Sequence, residues 1–246
     1  MLNRLQEILD GNRDPFCRAL SRTTRFNLLD EDLSRPPAGA VSRGAMTAIR
    51  SAMGLVYAIC AYILLHLGIS RLLAAVLATA AILALHTWLT GGRENRLALG
   101  WFESLRPSGS GNASDKAVWQ LQAMLSLLAP VLLILLHFHV NGCAVWLIPT
   151  MALGAAGGIE YAAGTQPGSR PKSVFSWILA AGISLLCMTI ACGGRGFFNS
   201  LVISALLFLL TPWMKKIPGA PKGFASGALA AEIIVIVLTL LLSSVN

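Results

Sequence analysis

Seven long apolar runs divide most of the chain, at roughly 52–69, 72–90, 121–140, 142–163, 174–192, 197–213 and 225–245. Each is near the ~20 residues a helix needs to cross the ~30 Å hydrocarbon core of a bilayer. A lipid-facing backbone must satisfy its own hydrogen bonds, which leaves helices as the economical solution for runs of this length. The runs therefore predict an all-α, polytopic membrane helix bundle of about seven transmembrane helices. The boundaries are a cytoplasmic amphipathic and linker segment over 1–51 and a bundle over 52–246, with cytoplasmic loops at 91–120, 164–173 and 214–224.

Basic residues set the orientation. Arg4, Arg13, Arg18, Arg22, Arg25, Arg35, Arg43 and Arg50 precede the first run; the next connections hold one, four, none, two, one and three. Seventeen of the nineteen thus fall on alternate sides, and two, Arg71 and Arg195, on the other. The positive-inside rule puts the N-terminus in the cytoplasm and the C-terminus across the membrane.

Composition agrees: 55% of residues are hydrophobic and 12% charged, about half the charged share of a soluble domain. The net charge of +8 is scattered over loops without a basic stripe or a stacking platform. It argues against nucleic acid and for anionic lipid or a phosphate-rich ligand. No secretory signal is expected, because the first apolar run follows about fifty mostly polar residues.

Residues 2–10, with Leu2, Leu5, Ile8 and Leu9 at helical spacing, read as a short interfacial helix, and Phe16 and Leu20 can begin another. Trp88, Trp119, Trp146, Trp177 and Trp213 fall near run ends and read as headgroup-level anchors. The five cysteines lack metal or redox spacing; Cys143 and Cys192 share the outer side, where a disulfide is one option. His66, His86, His137 and His139 read as interface histidines that hydrogen-bond rather than bind metal, since His137 and His139 point to different helix faces and cannot easily share one ion.

Charge inside a span is costly and marks a functional candidate. Glu232, in the inner half of the last run, is the stronger one; Glu160 is either a second or an interfacial carboxylate. Gly154 with Gly158, and Gly219, Gly223 and Gly227, recur at spacing four. That spacing suits close helix approach or, for the second set, a glycine-rich turn whose amides face a phosphate.

Thr24-Arg25, Leu89-Thr90-Gly91-Gly92, Leu153-Gly154 after Pro149, and Gly219-x-x-x-Gly223-x-x-x-Gly227-Ala228 together resemble the cobalamin-5'-phosphate synthase family, the adenosylcobinamide-GDP ribazoletransferases. The resemblance implies transfer of a phosphorylated corrinoid from a GDP-activated donor to α-ribazole or its phosphate, with release of GMP. It also implies Mg²⁺ bridging the donor phosphates, and a bacterial or archaeal cytoplasmic membrane.

By that register, Gly91, Gly92, Arg96, Gly219, Lys222, Gly223 and Gly227 would bind substrate, Glu103 and Glu232 would be catalytic, and Glu103 would ligate the metal. The loops after Thr90 and before Gly227 would meet at the inner face. The family's acidic motif falls on Arg96, Gly100 and Glu103, its later aspartate and threonine on Phe224 and Lys222, and its arginine after Leu-Gly on Ala155. Hard divalent metals need carboxylates, so a weakly active or inactive transferase is expected. The alternative is a non-catalytic membrane subunit or small-molecule carrier on the same bundle.

Overall fold

The computed structural model describes residues 16–17, 19–21, 23–25, 40–92, 131–139, 143–164, 174–214, 216 and 223–244. The expected interfacial helix over 2–10, Trp119, and most of the three expected cytoplasmic loops lie outside them. All regular structure among the described residues is helical: helical residues at 16–17, 19–21 and 23, where Phe16 and Leu20 are expected to begin a short helix, then α1 (Ala40–Leu65), α2 (Arg71–Thr90), α3 (131–139), α4 (Leu147–Gly164), α5 (Val174–Met214) and α6 (Phe224–Ser244). Three of them, α1, α2 and α5, are long and apolar enough to cross a membrane.

α5 is two helices in one. Gly193 has a non-helical backbone (φ 63°, ψ −149°), a region open to glycine and closed to other residues. The chain reverses there, because the Ser184 and Ser200 hydroxyls lie 2.5 Å apart and the Trp177 and Phe208 rings meet edge to face at 5.3 Å. In a straight helix Ser184 and Ser200 would stand about 24 Å apart. The arms 174–192 and 194–214 correspond to two of the expected runs.

α4 is the central element. Every residue from Met151 to Ala163 is buried, and the helix packs on α1, α5 and α6. Its small residues let neighbouring backbones approach. Space for a side chain at Gly158 is taken by the Phe224 carbonyl oxygen and Ala228 nitrogen, 2.7 and 2.8 Å from where a Cβ would sit. A Cβ on Gly157 would meet the Ala231 methyl at 2.6 Å, and one on Gly54 of α1 would meet the Leu147 carbonyl oxygen at 2.7 Å. The outward faces are apolar: Leu55, Ile59 and Ile63 of α1, and Ile178, Leu186, Ile190 and Leu209 of α5, are exposed, as suits a lipid-facing surface.

These contacts fix directions. The connection 66–70 is too short to run back along α1, so α1 and α2 are antiparallel, with the Tyr57 hydroxyl 3.2 Å from His86 Nδ1; α4 runs against both α1 and α6. The starts of α1 and α6, the end of α2 and both termini of α5 therefore share one end of the bundle, called here the near end. The α5 reversal marks the far end.

Two expectations change. The first helix starts at Ala40, not 52, so Arg43 and Arg50 belong to the helix rather than to a linker. Trp146 and Trp177 are buried rather than anchoring at a surface: Trp146 is covered by the rings of His137 and Phe138, and Trp177 by Phe208. Glu160, four residues from the near end of α4, is buried among the helices. Trp88 and Trp213 are exposed at the near end, as anchors would be.

Candidate functional site

The most unusual contact in the bundle joins α1 to α6. Arg50 Nη2 lies 3.2 Å from Glu232 Oε1, with the arginine side chain fully buried. Arg50 falls on the inward stripe of α1, with Met46, Met53 and Tyr57 at helical spacing above and below it. Glu232 lies against Gly154 of α4, where a Cβ would run into its side chain. The Phe224 ring sits 5.7 Å from the guanidinium carbon.

Counted from Ala40 and from Phe224, Arg50 and Glu232 are about 12–15 Å from the near end at ~1.5 Å per residue. Two charges at that depth are tolerable only as partners. The surrounding hydroxyls are satisfied within their own helix: Thr47 donates to the Arg43 carbonyl at 3.2 Å and Ser51 to the Thr47 carbonyl at 2.7 Å.

A second cluster lies at the near-end terminus of α2. The helix ends on Gly91 in the left-handed region (φ 62°), and the Gly92 amide donates to the Thr87 carbonyl at 2.9 Å, a glycine stop that satisfies the last carbonyls. The segment at 23–25 docks on this stop. The Arg25 amide donates to the Leu89 carbonyl at 2.6 Å, and the guanidinium lies 4.1 Å over the Trp88 ring. A Cβ on Gly91 would meet the Arg25 Cβ at 3.2 Å, so glycine serves both the turn and the docking. Thr23 and Thr24 are buried there, with hydroxyls returned to the Ala19 and Leu20 carbonyls. Lys216 over Trp213, at 4.6 Å, adds another cation at this end.

Of the residues singled out by sequence, Gly91, Gly92 and Gly223 thus share the near end, and Glu232 is drawn into the bundle by Arg50. Space beside Gly223 is open, whereas Gly227 is closed by Tyr161, whose Cβ lies 2.5 Å from where a side chain would begin; Gly227 serves helix contact here. Arg96, Glu103, Gly219 and Lys222 lie outside the described residues. Among the described residues no group of three or more His, Cys, Asp or Glu side chains is placed to hold a metal. Glu232 does not fit Mg²⁺, because a guanidinium already stands at its carboxylate.

Sequence reading missed Arg50, which was counted with the loop cations. The available signal was its place in the Met46-Arg50-Met53-Tyr57 stripe. His66 and His86 hydrogen-bond as expected, His66 to the Tyr62 carbonyl one turn back and His86 across to the Tyr57 hydroxyl of α1. Cys143 and Cys192 are free thiols on the wall of one far-end cavity. Comparison of the chain with protein-family models, curated proteins and solved structures finds no match.

Proposed function

We propose that the chain is a divergent relative of the adenosylcobinamide-GDP ribazoletransferases, a seven-span protein of a prokaryotic cytoplasmic membrane. In this reading it holds a phosphate-rich corrinoid nucleotide at the near end and transfers it weakly or not at all. The observation that carries it is the docking of Arg25 on Leu89 and Gly91. Two segments on which the resemblance rests, far apart in sequence, meet at the end of the bundle that carries Arg25 and Lys216. Guanidinium and ammonium groups are groups that bind phosphate oxygens.

The weak-transfer part rests on the fate of the acids. Glu232 is committed to Arg50, which leaves Glu103 as the acid in the register of the family's metal motif. A single carboxylate holds a hard cation poorly. The same commitment favours the second reading, a non-catalytic membrane subunit or carrier, over a competent enzyme.

The test is the purified protein in lipid nanodiscs with GDP-activated corrinoid, α-ribazole and Mg²⁺, following both nucleotide binding and GMP. Binding with little or no GMP release is expected, and Glu103→Gln should abolish any release. Failure to bind the nucleotide would overturn the family reading. Robust turnover insensitive to Glu103→Gln would place the catalytic acids elsewhere.

A further inference from the structure

The far end of the bundle holds a cavity of about 460 Å³, within the ~300–1,000 Å³ of small-molecule sites. It lies between helices, with walls from α3 and the segment entering α4 (His137, Trp146), both arms of α5 (Met188, then Arg195, Asn199 and Ile203) and α6. Its lining has two characters. Trp146, Met188 and Ile203 give an apolar side, and the His137 ring is held against Trp146 with centroids 4.1 Å apart. Arg195 and Asn199, one turn apart on the second arm, give a polar one.

Arg195 is a cation in an unfavourable place. It follows Gly193 by two residues, in the first turn of the second arm, where the positive end of the helix dipole repels it. Among the described residues no acid lines the cavity. From residue 116 onward the chain has two acids, Glu160 and Glu232, and both sit in the near half of the bundle. Arg195 is exposed, so its charge is met by solvent or by a ligand rather than by an acid of the described residues. Exposed Ile190 and Phe198 flank the turn, so this end of the cavity adjoins the lipid-facing surface.

We propose that this far-end cavity binds a phosphate-headed amphiphile, with its phosphate on Arg195 and Asn199 and its apolar part on Trp146, Met188 and Ile203. The guanidinium offers two parallel N–H donors to phosphate oxygens, and the Asn199 amide adds a third. The site is independent of the near-end chemistry. The phosphate can belong to an anionic phospholipid of the adjoining leaflet or to a free phosphorylated molecule, and the test separates them.

Cys192, exposed on the cavity wall, is the reporter. The full chain, with Cys17, Cys60, Cys143 and Cys187 replaced by serine, is placed in nanodiscs of phosphatidylcholine or of phosphatidylglycerol and labelled with an uncharged maleimide. A chain with Ser70→Cys in place of Cys192, at the same end, is the reference. Two-thirds occupancy lowers the labelling rate about threefold, the effect of ligand at about twice its Kd. We expect that slowing in phosphatidylglycerol for Cys192 but not for the reference, and its loss in Arg195→Gln. Slowing by inorganic phosphate in phosphatidylcholine instead would assign the site to a soluble phosphate. Native mass spectrometry of the unmodified chain, counting retained phospholipid with and without Arg195→Gln, checks the result without the serine replacements. Equal rates under all conditions, slowing shared by the reference, or slowing that survives Arg195→Gln would overturn the proposal.

Discussion

Removing one member of the Arg50–Glu232 pair tests the bundle most directly. At an effective dielectric of about 20, unit charges 3.2 Å apart attract by roughly 5 kcal/mol, a gain offset by the cost of taking both out of water. The pair's net contribution is therefore small, but either charge left alone in its buried place is expensive. Glu232→Gln takes the carboxylate from the guanidinium beside Phe224, and Arg50→Met takes the cation from the carboxylate beside Gly154; each should cost ~3–5 kcal/mol. The double variant Arg50→Met with Glu232→Met removes both charges and keeps apolar bulk, so most of the loss should return. The assay is reversible unfolding in mixed micelles by dodecyl sulfate titration, followed by circular dichroism, as a double-mutant cycle. Single variants each costing under ~1 kcal/mol, or a double variant as unstable as the two losses added, would refute a close buried pair.

The remaining predictions use the same preparation. Gly158→Ala, which drives a methyl into the α6 backbone, should cost ~1–3 kcal/mol, whereas Gly182→Ala, with nothing within 4 Å, should be neutral or gain up to ~1 kcal/mol; equal effects in the unfolding titration would contradict the α4–α6 contact. Gly91→Ala, at φ 62°, should lose ~1–2 kcal/mol by the same titration. Ser184→Cys with Ser200→Cys should cross-link within one chain under mild oxidant, read by mobility on a gel, because the parent hydroxyls are 2.5 Å apart; a continuous α5 would leave them apart and uncross-linked. A reporter fused after Asn246 should be active on the outer side, since the basic asymmetry persists without Arg50; cytoplasmic labelling there would reverse the topology.

Much of the helix layout was legible because hydropathy reads it directly. α2 and α6 coincide with the apolar runs at 72–90 and 225–245 to within a residue at each end, and the reversal in α5 falls in the short Gly193-Gly194-Arg195 gap between two of them. The start of α1 was not legible, because Arg43 and Arg50 lower local hydropathy although they continue a helix. Glu232 stood out as a carboxylate in an apolar run, but its partner did not: a cation near the end of a run is read by its neighbours in sequence, and burial is set by neighbours in space. Trp146 and Trp177 failed for the same reason. Their positions match those of interfacial rings, but His137 and Phe208 come from other elements and enclose them. The Gly154 and Gly158 spacing was read correctly as helix contact, since small residues one turn apart can do little else on a buried face.

The ion pair also bears on how the near end is built. A slip of α6 against α1 by one turn is a displacement of about 5.4 Å, which would carry Glu232 out of contact range of a guanidinium now 3.2 Å away. Apolar side chains on the two helices would tolerate such a slip by repacking, but two separated buried charges would not. One polar contact thus penalises alternative registers that the apolar surface alone leaves close in energy. The register it selects puts Phe224 against Gly158 and over Arg50. Open space at Gly223 is thereby brought to the end of the bundle where Arg25 docks on Gly91. In this reading Arg50 positions the near-end site without touching its ligand, and the variant lacking both charges should retain much of its stability while binding the nucleotide more weakly.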